Sequence, residues 1–336
     1  MTDPLHPRTA LHDAGRSLPV LPPCVHYAGA ERYLRKALAL QAERGPVFDI
    51  AGDCEDGAAI GAEREHARMV ATLIASNDNK LARMGARTHG VRHPAWRQEL
   101  EIIIGDAGDR LAFLTVPKSD SVGDVETYLD AVLLVVARLG IAREIPISVL
   151  IETPGAVHDA WKIAALPGLV SLDFGTLDFV SAHHGAIPIS AMQSPGQFDH
   201  VLMRRAKAEV AAAALAHGIV PVHGISRALN DEDAVYADAR RARDEFGFLR
   251  MWSIHPSQID AIVHAIQPDH DAVVEAATVL LAARGAEWAP IARGDKMHDR
   301  ASYRYYWSVL QRAHAAGAHL PRDVQAWFAP APRASA

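Results

Sequence analysis

From about residue 18 to residue 266, short apolar runs alternate with longer stretches of helical period. The runs predict strands over Leu18–Val25, Pro46–Ala51, Gly85–Val91, Leu111–Val116, Ile145–Ile151, Leu169–Phe174, Ile219–His223 and Leu249–Ile254. The intervening stretches predict helices over Ala30–Arg44, Glu63–Ser76, Trp96–Gly105, Val122–Leu139, Gly155–Ala165, Phe198–His217, Asp231–Phe246 and Pro256–Ile266. Several strand runs lack polar alternation, as parallel strands covered on both faces do. Eight strands, each followed by a helix, close most simply as an α/β (β/α)8 TIM barrel. An open doubly wound sheet is the alternative, and it needs a switch point and a phosphate fingerprint; no G-x-G-x-x-G is present. Residues 1–16 read as a polar N-terminal arm, 17–270 as the barrel, 271–328 as a helical C-terminal extension, and 329–336 as a Pro/Ala/Ser tail.

Composition supports a sizeable core and narrows the partners. Of 336 residues, 49% are hydrophobic and 22% charged, which is not a disordered composition. A net charge of −6 argues against wholesale binding of nucleic acid or an anionic membrane. The two cysteines, Cys24 and Cys54, form no disulfide framework and fit a reducing compartment. The first residues lack a basic region followed by an apolar run, and the longest apolar candidate, near 131–139, is broken by Arg138. The expectation is a cytoplasmic protein. Neither a G-x-S-x-G elbow nor a Walker loop occurs.

A barrel places its chemistry after the C-terminal ends of its strands. The predicted ends carry Asp53-Cys54-Glu55-Asp56, Arg87-Thr88-His89, Lys118-Ser119, Glu152-Thr153, Gly175-Thr176-Leu177-Asp178, His223-Gly224 and His255-Pro256. Glu152 and Asp178 follow adjacent strands, and converging carboxylates repel unless something neutralises them. A hard divalent cation such as Mg2+ does so with one or two carboxylates plus water and substrate oxygens. Helix capping is the competing reading for Asp178 and for Asp56. Arg87 and Lys118 suit a carboxylate or an enolate oxygen; an ordinary salt bridge to Asp53 or Glu55 accounts for Arg87 equally well. The doublet His183-His184 has no acidic partner at zinc spacing, His255 reads as a loop or capping residue, and Cys54, beside carboxylates, reads as a packed thiol.

Taken in order, Asp53-x-Glu55-Asp56, Arg87-Thr88-His89, Pro117-Lys118, Ile151-Glu152-Thr153, Phe174-Gly175-x-x-Asp178 and Ser253-Ile254-His255-Pro256-Ser257-Gln258 resemble the citrate lyase β-subunit and malyl-CoA lyase family, over about residues 27–304. The resemblance implies a barrel of Mg2+-dependent carbon–carbon lyases, with Mn2+ as a substitute ion, assembled as a homotrimer or homohexamer. It implies Glu152 and Asp178 as metal ligands and Arg87 as the substrate arginine. Glu55 and Asp56 become the acidic pair that orients metal-bound water or Arg64. Lys118, Gly175 and Thr176 join Arg87 as substrate contacts. Asp299-Arg300-Ala301-Ser302-Tyr303-Arg304 matches the family's Asp-x-Ala-Ser-x-Arg segment, which makes Asp299 an acid/base group entering the neighbouring subunit's site; a helix N-cap is its other, compatible role. The chain departs from the family at His89, where an asparagine is usual. It departs again at the first strand, where Arg16-Ser17 precedes a proline-rich stretch and His26 or Tyr27 stands in a Pro-Gly region. The implied reaction is cleavage or formation of a 3-hydroxyacyl-CoA, such as malyl-CoA or citramalyl-CoA, through an enolate. An aldolase of free 2-oxo-4-hydroxy acids is the alternative, and a non-catalytic barrel subunit of a larger complex is the third reading.

Overall fold

The computed structural model describes residues 5–11 and 18–329. The chain forms two compact units: residues 21–266, and a second built from the N-terminal segment and residues 267 onward. In the first unit eight parallel strands close in sequence order into a barrel: β1 (Cys24–Ala28), β2 (Phe48–Asp53), β3 (Met84–Arg87), β4 (Leu114–Val116), β5 (Ile147–Ile151), β6 (Leu169–Phe174), β7 (Val220–His223) and β8 (Arg250–Ser253). This is the TIM barrel expected from the alternation of runs.

Alternation along the strands divides the buried residues into two sets. Cys24, Phe48, Ile50, Met84, Ala86, Leu114, Ile147, Val149, Leu172 and Met251 belong to the large core shared with the surrounding helices. Val25, Tyr27, Ala51, Phe113, Leu150, Val222 and Trp252 form a separate, smaller cluster within the barrel. The same inner phase carries polar groups at intervals. Arg250 donates to Asp49 at 2.6 Å, and Asp173 accepts from Ser171 at 2.5 Å and from the Trp252 indole at 2.7 Å. The barrel interior is therefore packed and partly polar, and the candidate site lies at its carboxyl end.

The first strand begins at Cys24 instead of Leu18. Pro19, Pro22 and Pro23 have no N–H to give a ladder, so pairing starts only after them. The second strand runs on to Asp53, two residues past the expected end, which puts Asp53 on the barrel wall. A helical turn over Thr176–Ser181, not predicted, follows β6 directly. The long helix Val122–Leu139 starts on a Ser121 side-chain cap and stops at Gly140, whose φ of +67° is a left-handed C-cap.

In the second unit, helices His270–Gly285 and Arg300–Ala315 flank an unpredicted hairpin, Ile291–Arg293 with Lys296–His298. Part of the expected polar arm belongs to this unit's core: Pro7–Ala10 forms a helical turn, Leu11 is buried, and the Trp288 indole donates to the Leu5 carbonyl at 3.1 Å. Arg16-Ser17 and the tail from residue 330 lie outside the described residues. Among the described residues no helix is long and apolar enough to cross a membrane.

Gly85 on β3 shows how tightly the interior is filled. A Cβ there would lie 2.5 Å from the Phe113 carbonyl oxygen on the neighbouring segment. Gly85→Ala is expected to lower the melting temperature by about 2–10 °C through strand displacement, read by thermal unfolding.

Candidate active site

Strand register assembles the first part of the site. Asp53 at the end of β2 lies directly across from Arg87 at the end of β3. Both belong to the inner phase, and Arg87 donates Nε to Asp53 Oδ1 at 2.8 Å and Nη2 to Oδ2 at 2.5 Å. Asp53 also accepts the backbone N–H groups of Glu55 and Gly57, each at 3.0 Å, which folds the loop after β2 back over the barrel mouth. That fold brings Glu55 Oε2 to 2.9 Å from Arg87 Nη1. Burial works against the guanidinium charge, but Asp53 and then Glu55 more than offset it, so Arg87 stays firmly protonated.

Lys118 ties the rest together. It follows β4 at φ +51°, a left-handed conformation uncommon for a residue with a side chain. Its backbone N–H donates to Glu152 Oε1 at 2.6 Å. Its ammonium lies 2.5 Å from Glu55 Oε1, 2.8 Å from Asp56 Oδ1 and 3.9 Å from Asp178 Oδ1. Lys118 stays charged because Asp56 and Glu55 outweigh its partial burial. The structure thus corrects the expected partner of the acidic pair. Glu55 and Asp56 bind Lys118 and Arg87, while Arg64 is exposed on the helix Glu63–Ala75.

Glu152 and Asp178 share this rim. Glu152 is buried and has no cationic side chain within salt-bridge distance among the described residues. Burial first, and the charge of Asp178 second, push its carboxyl up to about 8. Burial also raises Asp178, with Lys118 opposing. A Cβ at position 175 would collide with Glu152 Oε2, so glycine there leaves the carboxylate its space. Thr176 is buried beside it, and its hydroxyl has no hydrogen-bond partner. Two carboxylates with an imperfect complement of cations, on a rim open to water, fit the oxygen-rich, water-completed sphere of Mg2+. Among the described residues no group of three or more His, Cys, Asp or Glu side chains is placed to hold a metal.

Two cavities meet along this wall, both bordered by Asp56, Glu152 and Asp178. One, of about 590 Å³, has Arg87, Thr176, Tyr27 and Trp252 in its lining. Tyr27 and Trp252 stack at 3.6 Å between centroids, with the Arg87 guanidinium 5.5 and 5.6 Å from the two rings. The other, of about 740 Å³, is lined by Lys118, His89, Arg92 and His93. Trp252 is the group that sequence reasoning did not place in the site; Asp53 entered only as an alternative salt-bridge partner of Arg87, and Tyr27 only as a departure at the first strand. Their signal was the inner strand phase, which needs correct strand ends to be seen. Asp299 lies in the other unit, where its Oδ1 accepts the N–H groups of Ala301 and Ser302 in a capping box on the helix Arg300–Ala315. His183 Nδ1 donates to the Phe179 carbonyl at 2.6 Å, and Cys54 is a buried thiol that burial pushes well up, so neither is arranged as a zinc ligand or a nucleophile.

Residues 48–256 match the model of the HpcH/HpaI aldolase/citrate lyase family. A citrate lyase of known structure from Burkholderia xenovorans LB400 is 48% identical, with a TM-score of 0.84 over 96% of this chain and 99% of that one. The L-malyl-CoA/beta-methylmalyl-CoA lyase of Cereibacter sphaeroides is 27% identical over 251 residues, 68% of this chain and 76% of that protein. The protein CitE of Mycobacterium tuberculosis, solved with magnesium, acetoacetate and coenzyme A, shares the fold at 22% identity and a TM-score of 0.65, over 88% of this chain and 98% of that one. A closed eight-stranded barrel with an acidic rim defines the class, an enzyme of the carbon–carbon lyase type. The chain belongs to the HpcH/HpaI aldolase/citrate lyase family.

Asp53 is the principal anchor of Arg87, so its loss leaves a buried guanidinium with Glu55 alone. Asp53→Asn is expected to cost about 3–5 kcal/mol of stability, measured by urea unfolding.

Proposed function

We propose that the protein is a Mg2+-dependent lyase that cleaves or forms a 3-hydroxyacyl-CoA such as malyl-CoA or citramalyl-CoA. The observation that carries this reading is the buried Glu152 carboxyl, bordering the same two cavities as Asp178 and near an anchored arginine, on a barrel of this family. The named activity of the malyl-CoA lyase relative and the magnesium and coenzyme A bound to CitE support it.

Cleavage breaks the bond between the α- and β-carbons of the thioester: the β-hydroxyl gives up its proton to water at the open rim, its carbon becomes the 2-oxo group of the released acid, and the bonding pair passes to an enolate of the thioester. Mg2+, with Mn2+ as a substitute, would be held by Glu152 and Asp178 and supply Lewis acidity toward the oxygens of the 2-oxo acid. Arg87 has five N–H groups, of which two are hydrogen-bonded to Asp53 while Glu55 adds an ion pair, and the others would serve the thioester oxygen on which negative charge develops. Lys118 fixes Glu152 with its backbone and screens Asp56 and Asp178 with its ammonium. Gly175 and Thr176 border the substrate, with the unpartnered Thr176 hydroxyl available to it. Asp299 of a neighbouring subunit in a trimer or hexamer would protonate the enolate carbon. Both of its capping contacts use Oδ1, which leaves Oδ2 for the proton.

One observation favours the free-acid aldolase as the second reading. Among the residues lining the 590 Å³ cavity, Lys36 and Arg87 are the only Lys or Arg side chains, a thin complement for the phosphates of coenzyme A. Assay of malyl-CoA against 4-hydroxy-2-oxo acids with Mg2+ present separates the two. Turnover of the thioester alone is the expected result, and turnover of the free acids alone would replace the first reading with the second.

Glu152→Gln and Asp178→Asn are each expected to lower kcat by at least about a thousandfold, since each removes half of the protein's ligand set. Glu152→Gln should nevertheless raise the melting temperature of the metal-free protein at neutral pH. The raised Glu152 carboxyl means that the folded state disfavours its ionisation, so its contribution to stability falls as pH rises from the ordinary carboxylate range toward 8. For the same reason Mg2+ must displace a proton below pH 8. Affinity measured by titration calorimetry should rise with pH, by up to about tenfold per unit, and level off above 8.

A further inference from the structure

The larger cavity has a wall that the reaction above leaves unused. His89 and His93 come from the segment between β3 and the helix Trp96–Ala107, and both line the 740 Å³ cavity that Glu152 and Asp178 also border. Their rings stack at 3.7 Å between centroids with 14° between planes. Each ring has its Nδ1 committed on the protein side. His93 Nδ1 accepts the Ala95 N–H at 3.2 Å, so the ring's own proton is on Nε2. His89 Nδ1 donates to Glu99 Oε1 at 2.7 Å, and its backbone N–H donates to Glu99 Oε2 at 2.8 Å.

Glu99 is fully buried, and His89 is the one basic side chain within salt-bridge distance among the described residues. A buried carboxylate requires a cation, which makes His89 an imidazolium with a second N–H at Nε2. The raised affinity of His89 for its proton, where Glu99 overcomes partial burial, agrees with that geometry. Neither Nε2 has a partner among the described residues. The other cations on this wall are spent: Lys118 on Glu55 and Asp56, Arg92 on Asp120 and Asp124.

We propose that the stacked His89–His93 pair binds the distal carboxylate of a dicarboxylic 2-oxo acid whose 2-oxo end lies at Glu152 and Asp178. Two N–H donors carrying one positive charge match a monoanionic carboxylate and undercharge a phosphate dianion. This deepens the proposed function and rests on it, since it needs the 2-oxo acid to sit at the carboxylate pair; it moves the substrate from malyl-CoA and citramalyl-CoA, whose 2-oxo acids have one carboxylate, to a 3-hydroxyacyl-CoA that carries a second one. It also assigns the substitution at position 89 a role in choosing the acid.

The test titrates oxaloacetate and pyruvate, with Mg2+, into the wild type and into H89Q, H93A and H93Q. The wild type is expected to bind oxaloacetate at least about tenfold more tightly than pyruvate, the scale of a charge-assisted hydrogen bond. H89Q and H93A should lose that preference while binding pyruvate as the wild type does, and H93Q, which keeps an N–H donor, should recover part of it. A purely structural role would weaken both acids together, and that result overturns the inference. So does a preference that survives in H89Q and H93A, or a wild type that binds pyruvate with Mg2+ and shows no preference. Failure of both acids to bind the wild type defeats the proposed function itself and the inference with it.

Discussion

Five carboxylates, from Asp53, Glu55, Asp56, Glu152 and Asp178, converge on the rim of the barrel around two cationic side chains, Arg87 and Lys118. This shortage of positive charge is the condition on which the site rests. Water cannot relieve it fully because Asp53, Glu55, Glu152 and Arg87 are buried, and charges interact more strongly there than at the surface. The protein shares the shortage unequally. Asp53 has Arg87 in a two-point contact, and Lys118 holds Asp56 below its usual range against burial. Burial leaves Glu55, Glu152 and Asp178 raised. Protons can make up the deficit, and so can a divalent cation. An arrangement that holds protons loosely near neutrality is one that exchanges them readily for a metal.

Much of this was legible in the chain before any coordinates. The order of apolar runs and helical stretches gave all eight barrel strands, because parallel strands covered by helices leave a simple compositional trace. Glu152 and Lys118 became candidates because they stand within two residues of the end of such a run, Asp178 because it lies four residues beyond one, and Arg87 because it sits in the third. Asp53 was harder. Ending the second strand at Ala51 left it in a loop, whereas two more residues of pairing set it opposite Arg87. Of the two partners implied for Glu55 and Asp56, metal-bound water or Arg64, the second fails for a related reason. Arg64 is close in sequence, but it begins an exposed helical face, and Lys118 reaches the pair from two strands away. The hairpin at 291–298 has strands of three residues, too short to stand out from the helical periods around them.

The two cavities divide the labour of the rim. On one side the stacked Tyr27 and Trp252 rings give a flat, apolar floor beneath Arg87, itself fixed by the Trp252 indole bonded to buried Asp173. On the other side the lining includes the imidazoles of His89 and His93 and the Lys118 ammonium. Asp56, Glu152 and Asp178 stand at the boundary, bordering both cavities. Of the positions at which the chain departs from its family pattern, His26 and Tyr27 line the smaller cavity and His89 the larger.

Lys118 performs two tasks with chemically separate parts. Its ammonium can be altered by any change at codon 118, but the N–H that orients Glu152 is main chain and survives every substitution except proline. The aim of the buried carboxylate is therefore insulated from drift at that position, while the charge balance around it remains open to adjustment. A lineage could retune the acidity of this rim without first losing the alignment of the group that the rim serves.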